Sequence, residues 1–228
     1  MRASALALVL AAALLAGCGG HGKSAKPNSE ASKPPARVLA DARTAATSAS
    51  SAHVSGSVRS NGTPITLDLS TVRGKGATGS MTTSGLRFDL IRIGDTVYIR
   101  GSDAFYRKFA GPAVAQLLHG RWIKAPATKG RLAALAPLTS IDALFTGISS
   151  HHGRLVNDGK TTYKGTEVVA IRDTSDNSKL FVAASDKPYP VAITGGRQGK
   201  SGTIEFGDWN KHVSLSAPGG AIPIPKLG

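Results

Sequence analysis

Residues 53–72 read HVSGSVRSNGTPITLDLSTV, and this stretch decides the class of fold. In its second half, apolar residues occupy every second position, at Ile65, Leu67 and Leu69, with polar residues between them. Successive side chains of a strand point to opposite faces, so this period of two indicates a half-buried strand. Asn61-Gly62, between the two halves, is a strong signal for a two-residue hairpin turn. The stretch therefore predicts an antiparallel hairpin with one apolar face.

The same alternation recurs in two further parts of the chain. One follows directly in residues 76–101, where Ser84-Gly85 and Gly94-Asp95 supply the turns. The other covers residues 153–218, where short alternating segments are separated by pairs such as Asp158-Gly159. With the first hairpin, these segments predict a sheet of about 10–11 strands joined as antiparallel neighbours.

Three segments show helical spacing instead. Apolar residues recur every three or four positions in residues 37–50, 103–120 and 138–148, and Gly111-Pro112 breaks the second segment. The order along the chain is a helix, a group of strands, helices, and a second group of strands. This order predicts an α+β domain and not the alternating pattern of a parallel sheet.

The first 17 residues have the composition of a secretory signal peptide. A single cation, Arg2, precedes an apolar run from Ala5 to Ala16. The run is too short to cross the roughly 30 Å hydrocarbon core of a bilayer as a helix. The sequence therefore predicts an exported protein whose signal peptide comprises residues 1–17.

The end of this segment, Leu15-Ala16-Gly17-Cys18, resembles the lipobox of bacterial lipoproteins, and Cys18 is the only cysteine in the sequence. The resemblance implies cleavage before Cys18 and a diacylglyceryl group on its thiol. Two acyl chains hold a protein on a membrane, whereas one chain binds only marginally. We therefore expect lipidation at Cys18 and a location on the extracytoplasmic face of the cell membrane.

Residues 19–36, GGHGKSAKPNSEASKPPA, contain almost nothing that a core would bury. Such Gly, Ser, Pro and Lys composition is typical of a flexible tether. We therefore predict a lipidated Cys18 and tether over residues 18–36, followed by a single domain over residues 37–228.

The chain is strongly basic, with a formal net charge of +14 over 228 residues. Removal of residues 1–17 takes away only Arg2 and leaves +13. An exported protein with scattered cations is a poor candidate for nucleic-acid binding. The membrane itself, anionic headgroups or acidic wall polymers are the expected partners, and a solvated basic surface is the alternative. We expect a monomer.

Residues 192–206, AITGGRQGKSGTIEF, contain the Gly-Lys-Ser of a phosphate-binding loop. A complete loop begins with glycine at position 194, where this chain has Thr194, and it leads into a helix. Here a strand-like segment follows instead. We therefore predict a hairpin in which Ile193 faces Ile204 and in which Arg197 and Lys200 form a cationic tip.

Two other motifs suggest metal chemistry only at first sight. The adjacent His151 and His152 would point to opposite faces of a strand, with no carboxylate at ligand spacing. Residues 173–178, DTSDNS, lack the central Gly and terminal Glu of a calcium loop and predict an Asx-rich turn. The sequence thus predicts no catalytic residue, no metal site and no cofactor.

The full succession of segments resembles a known family. The lipobox, the polar tether, the segments DTVYIRGSDAFYRKF (95–109) and KLFVAASDKPYPVAI (179–193), and the closing GTIEFGDWNKHVSLSAP (202–218) are similar to actinobacterial LppX/LprG-type lipoproteins. Those proteins are relatives of the LolA/LolB half-barrel carriers. The resemblance implies a strongly curved antiparallel half-barrel, covered by helices, whose apolar cavity takes the acyl chains of lipids or lipoglycans.

Strand alternation and helix faces then select the residues expected to line this cavity. They are Leu67, Leu69, Phe88, Leu90, Val97, Ile99, Val114, Leu118, Leu144, Ile148, Val169, Ile171 and Phe181. The leading hypothesis is a membrane-anchored carrier that binds and transfers lipid without chemistry. The alternative is the same fold with a filled core, acting as a surface adaptor or sensor module without lipid cargo.

Overall fold

The computed structural model describes residues 25–60, 62–128, 137–150, 152–196 and 201–224. The predicted signal peptide and Cys18 lie outside these ranges, as do Asn61, His151, Arg197 and Lys200. Their predicted roles therefore stay predictions.

The described residues form one twelve-stranded sheet. Its strands are β1 Ser51–Ser60, β2 Thr63–Val72, β3 Gly76–Thr83, β4 Leu86–Ile93, β5 Thr96–Gly101, β6 Ile123–Pro126, β7 Leu155–Tyr163, β8 Thr166–Asp173, β9 Lys179–Ala183, β10 Pro190–Thr194, β11 Gly202–Gly207 and β12 Ile222–Pro223.

The sheet is open, with β12 and β7 at its two edges. Strands β1 to β6 form one antiparallel meander and β7 to β11 a second, and the pairing of β1 with β11 joins them. The two-residue β12 pairs with β6 in parallel and accounts for the strand beyond the expected ten or eleven. The predicted α+β fold with an open antiparallel half-barrel is confirmed.

The predicted hairpin of residues 53–72 is formed by β1 and β2. Val54 pairs with Leu69, and Val58 pairs with Ile65, so the apolar residues of both strands share one face. Gly62 in the turn has φ 77°, a left-handed conformation that glycine adopts without strain.

Four α-helices accompany the sheet in the described ranges: α1 Pro35–Ser48, α2 Asp103–Ala110, α3 Pro112–Leu118 and α4 Ile141–Ser150. The hydroxyl oxygen of Ser102 accepts a hydrogen bond from the Phe105 N–H at 3.2 Å and caps α2. Gly111 at φ 85° ends α2, and Pro112 is the first residue of α3, as the Gly-Pro break predicts. None of the helices in the described ranges has the length and apolar character to cross a bilayer.

The helices cover one face of the sheet through two apolar clusters. The large cluster centres on Leu69, Leu90, Ile99, Phe145 and Phe206 and includes residues of α2, α3 and α4. The small cluster joins α1 to the second meander and consists of Val38, Ala42, Val169, Ile171, Leu180, Val182 and Ala184. We call the covered face the inward face.

The N-terminal boundary of the domain differs from the predicted one. Part of the segment assigned from sequence to the flexible tether lies against the sheet, where the Asn28 N–H donates to the Ala184 carbonyl at 2.9 Å. The Asn157 side-chain amide donates to the Lys33 carbonyl at 2.9 Å, and Glu30 is buried. Backbone hydrogen bonds, which composition does not reveal, hold this segment, so the folded domain begins before residue 37.

Gly79 permits a close approach between β3 and β2. Its φ is 149°, and a Cβ built on it would lie 2.1 Å from the carbonyl oxygen of Asp68. No side chain fits at that distance, so glycine is required where the two backbones meet in the curved sheet.

Candidate functional site

The inward face brings together most of the residues predicted to line a cavity. Seven of them are almost fully buried in the large cluster: Leu67, Leu69, Phe88, Leu90, Val97, Ile99 and Leu118. They come from β2, β4, β5 and α3, and their alternation in sequence is what places them on one face. Whether they contact a ligand stays a prediction.

Two further predicted residues lie on the same face but in the other cluster. Val169 and Ile171 of β8 are buried beneath α1 with Val38 and Ala42. Ile193 of β10 packs against both clusters and connects them. The inward face is therefore apolar across both meanders.

The structure places Phe181 on the opposite face. Its neighbours Leu180 and Val182 belong to the small cluster, whereas the Phe181 ring stacks on Tyr163 with ring centroids 4.8 Å apart. The predicted inward orientation of Phe181 is wrong because Leu180, Phe181 and Val182 are consecutive apolar residues, and their alternation alone leaves two possible faces.

The remaining predicted residues belong to helices. Val114 of α3 is 39% exposed, so its predicted place in the interior is wrong, because Ala115 and Leu118 supply the buried face of that helix. Leu144 of α4 is partly buried against the large cluster. The side chain of Ile148 lies outside the described part of the structure.

The inward face is only partly covered near one end of the sheet. Ile65 of β2, Ile193 of β10 and Ile204 of β11 are half-buried there, and Ile193 pairs directly with Ile204 as predicted. We call these three residues the isoleucine band. They were not among the predicted lining residues, although their position in alternating strands was the signal that could have found them.

A small recess adjoins the isoleucine band between α1 and the second meander. It measures about 70 Å³ and is lined on its apolar side by Leu39, Leu155, Ile171, Leu180 and Ile193. Pockets that hold drug-sized ligands measure roughly 300–1,000 Å³. This recess is therefore an edge of the inward face and not a complete binding pocket.

The polar rim of the recess carries an ionised carboxylate. Burial tends to raise the pKa of Asp173, but hydrogen bonds from Ser175 and from the Gly153 N–H outweigh burial and lower that pKa. The Gly153 N–H lies 2.8 Å from Oδ2 and the Ser175 N–H 2.7 Å from Oδ1. The rim is thus charged at neutral pH, while the floor is aliphatic.

The outer face of the first meander is polar and carries paired charges. His53 lies 2.7 Å from Asp68, and Arg100 lies 2.8 Å from Asp89 while its guanidinium covers the Trp122 ring at 4.9 Å. An open groove of about 400 Å³ is bordered by Asp68, Asp89, Arg100 and Trp122. The contrast with the aliphatic inward face identifies the inward face as the candidate site for an apolar ligand.

The segment after the Gly-Lys-Ser motif and the turn after β8 have the predicted structures. Ser201 is followed directly by β11, whereas a phosphate-binding loop leads into a helix. In the turn after β8, the side-chain oxygen of Asp176 accepts a hydrogen bond from the Ser178 N–H at 2.9 Å, which is an Asx turn. The described residues contain no group of three or more His, Cys, Asp or Glu that could hold a metal ion.

An open antiparallel sheet with helices over its apolar face defines the half-barrel class of proteins. The solved structures that share this fold include two mycobacterial proteins. LprF from Mycobacterium bovis is 15% identical with a TM-score of 0.59, covering 86% of this chain and 100% of LprF. The lipoprotein LppX from Mycobacterium tuberculosis is 14% identical with a TM-score of 0.52, covering 80% of this chain and 98% of LppX.

These similarities confirm the predicted LppX/LprG-type resemblance at the level of the fold. No family model matches the chain, and no curated protein matches it.

Proposed function

We propose that this protein is a lipid-anchored lipoprotein of the cell envelope that binds the acyl chains of a lipid or lipoglycan on its inward face and carries them. The isoleucine band is the observation that carries the proposal. Ile65, Ile193 and Ile204 stay half-buried beside a fully buried aliphatic cluster. Removing apolar surface from water is favourable by roughly 25 cal/mol per Å². An acyl chain laid along the band would supply that burial.

The recess beside the isoleucine band is too small for an acyl chain to enter without a change in the protein. A lipid needs more room than about 70 Å³, so we propose that a covering helix moves away from the sheet on binding. Helix α1 is the candidate, because Leu39 of α1 lines the recess and the recess lies beside the band. Binding and release of lipid would involve no covalent step, so the protein would act as a carrier and not as an enzyme.

The anchor belongs to the same proposal. Lipidation of Cys18 would hold the protein on the extracytoplasmic face of the membrane. Because the segment from Lys26 onward contacts the domain, with the Lys26 N–H 3.1 Å from Asp186, the tether of the proposed anchor would end near residue 25. The domain would then stay close to the bilayer from which it takes lipid.

The second candidate function is a surface adaptor or sensor module without lipid cargo. The observation that favours it is the close packing of the large cluster, where Leu69 and Leu90 are fully buried and the ring centroids of Phe145 and Phe206 lie 4.9 Å apart. A core filled in this way needs no ligand to be stable.

Lipid retention during gentle purification from membranes separates the two functions. We expect native mass spectrometry of the wild-type protein to detect bound lipid, and we expect Ile204→Ser to retain about ten-fold less, because it removes most of an isoleucine contact. Ile91→Ser is the matched control, since Ile91 is a half-buried isoleucine that lines the outer groove.

A wild-type protein that is consistently free of lipid would support the adaptor function and reject the carrier. Equal loss of lipid in the Ile204 and Ile91 variants would show that the inward face is not the binding site. Thermal unfolding of both variants establishes that each is folded when lipid is measured.

A further inference from the structure

The exposed surface of helix α3 carries no charge. Its sequence is PAVAQLL, and only Ala115 and Leu118 of its seven residues are buried. Val114 is 39% exposed and Leu117 is 75% exposed. On the preceding helix, Phe109 is 42% exposed. Because Gly111 alone links α2 to α3, these apolar side chains belong to one helical hairpin.

Free cations flank this apolar surface. Arg107 and Lys108 precede it and Arg121 follows it, and all three are exposed. Within the described part of the chain none of the three forms an ion pair, whereas Arg100, Arg172 and Lys33 are paired. The nearby carboxylate, Asp103, lies 2.8 Å from His119. The hairpin therefore has a net positive field around uncharged, exposed side chains.

A polar recess lies between the two helices. It measures about 280 Å³ and is lined by Asp103, Arg107, Pro112, Ala115, Gln116 and His119. The Arg107 guanidinium and the Gln116 amide offer hydrogen-bond donors there, and Arg107 is free to bind a phosphate. The recess is thus adjacent to the apolar surface and can accept a polar headgroup.

We propose that the hairpin of α2 and α3 docks on an anionic phospholipid bilayer. Leu117, Val114 and Phe109 would enter the interface between headgroups and acyl chains, while Arg107, Lys108 and Arg121 contact phosphates. Apolar residues flanked by cations are the composition of interfacial membrane-binding helices. This inference rests on the proposed function and adds the surface through which the carrier meets the membrane.

The hairpin of α2 and α3 lies at the same end of the sheet as the isoleucine band. Helix α2 starts two residues after β5 ends, at the end of the sheet that also holds the β1–β2 and β10–β11 turns. The isoleucine band lies near those turns. Docking would therefore bring the partly uncovered end of the inward face to the bilayer surface.

The tether is long enough for this arrangement. Lys26 contacts Asp186 at the opposite end of the sheet. The eight peptide units from Cys18 to Lys26 span at most about 29 Å when extended. A ten-residue strand measures about 33 Å, so a domain whose strands lie obliquely to the bilayer can satisfy the anchor and the docked hairpin together.

A single added thiol tests the proposal in the full, acylated protein. Cys18 is the only cysteine, so Leu117→Cys introduces one free thiol for an environment-sensitive dye. The protein is reconstituted on vesicles of phosphatidylcholine, with or without phosphatidylglycerol. We expect a blue shift of the dye on the anionic vesicles only. Thr162→Cys, at an exposed position of β7, is the control and should show no shift.

A second variant tests the role of the cations. Replacing Arg107 and Lys108 with glutamine should lower the docking equilibrium constant by about five-fold for each cation removed. Flotation with vesicles measures attachment through the acyl anchor, whereas the dye measures docking of the hairpin. Failure of the anchor is therefore distinguishable from failure of docking.

Three results would overturn the proposal. One is a dye at position 117 that stays in water although the protein floats with anionic vesicles. Another is an equal shift on neutral vesicles, which would exclude recognition of anionic lipid. The third is a shift that grows with protein concentration without vesicles, which would assign the surface to contact with a second copy of the chain.

Discussion

The hydroxyl group of Tyr106 donates a hydrogen bond to the carbonyl oxygen of Arg121 at 2.8 Å. The same hydroxyl oxygen accepts from the Gly101 N–H at 3.0 Å, and the side chain is 1% exposed. Burial raises the pKa of Tyr106, so the phenol keeps the proton that it donates. One side chain thus connects the end of β5 to the segment after α3 and holds the helical hairpin on the sheet.

We expect Tyr106→Phe to lower the free energy of unfolding by about 1–3 kcal/mol, since it leaves a buried N–H and a carbonyl without their partner. Urea denaturation measures this change. Tyr98→Phe is the matched control, because Tyr98 lies on the same part of the chain and is only half-buried. Equal effects of the two substitutions would contradict the assigned role of the Tyr106 hydroxyl.

Alternation in the sequence predicted the first meander and its buried face because each of β2, β4 and β5 mixes polar and apolar residues. Alternation was insufficient for Phe181, because its strand is a run of apolar residues. Only the pairing of β9 with β8 and β10 determines the face on which the Phe181 side chain lies. Helix α3 is too short for spacing to distinguish Val114 from Ala115. The part of the predicted tether that lies against the sheet is held by hydrogen bonds to distant backbone atoms, which composition does not encode.

Gly79→Ala should destabilise the protein by at least about 2 kcal/mol, because the added methyl would overlap the Asp68 carbonyl oxygen and because φ is positive. Gly85→Ala is the control. Gly85 also has a positive φ, 75°, but a Cβ there meets open space, so we expect a loss of only about 1 kcal/mol. Urea denaturation of both variants separates overlap from backbone strain. Similar losses would mean that β2 and β3 do not approach as closely as described.

The stability of the protein should depend on pH through Asp158. Hydrogen bonding from Arg172 at 3.0 Å is the main cause that lowers the pKa of Asp158, and Lys179 at 3.5 Å also contributes. A carboxyl group whose pKa is lowered by folding stabilises the native state above its ordinary value of 3.8. That contribution is lost as the pH falls through the lower, folded-state value.

We therefore expect Asp158→Asn to be less stable than wild type at pH 6 and the difference to shrink as the pH is lowered below about 4. Unfolding free energies over this range provide the measurement. Asp95→Asn, at an exposed carboxylate without an ion pair among the described residues, is the control for the loss of one negative charge. A difference between wild type and Asp158→Asn that stays constant with pH would contradict the assigned ion pairs.

The orientation of Phe181 separates stability from lipid binding. Phe181→Ala should lower the free energy of unfolding by about 1–3 kcal/mol, because it removes the ring that stacks on Tyr163 on the outer face. It should leave the amount of retained lipid unchanged, since the side chain does not reach the inward face. Ile193→Ala, on that inward face, should reduce retained lipid while costing a similar amount of stability. Native mass spectrometry and urea denaturation of the two variants give both quantities, and loss of lipid in Phe181→Ala alone would place the binding site on the outer face of the second meander.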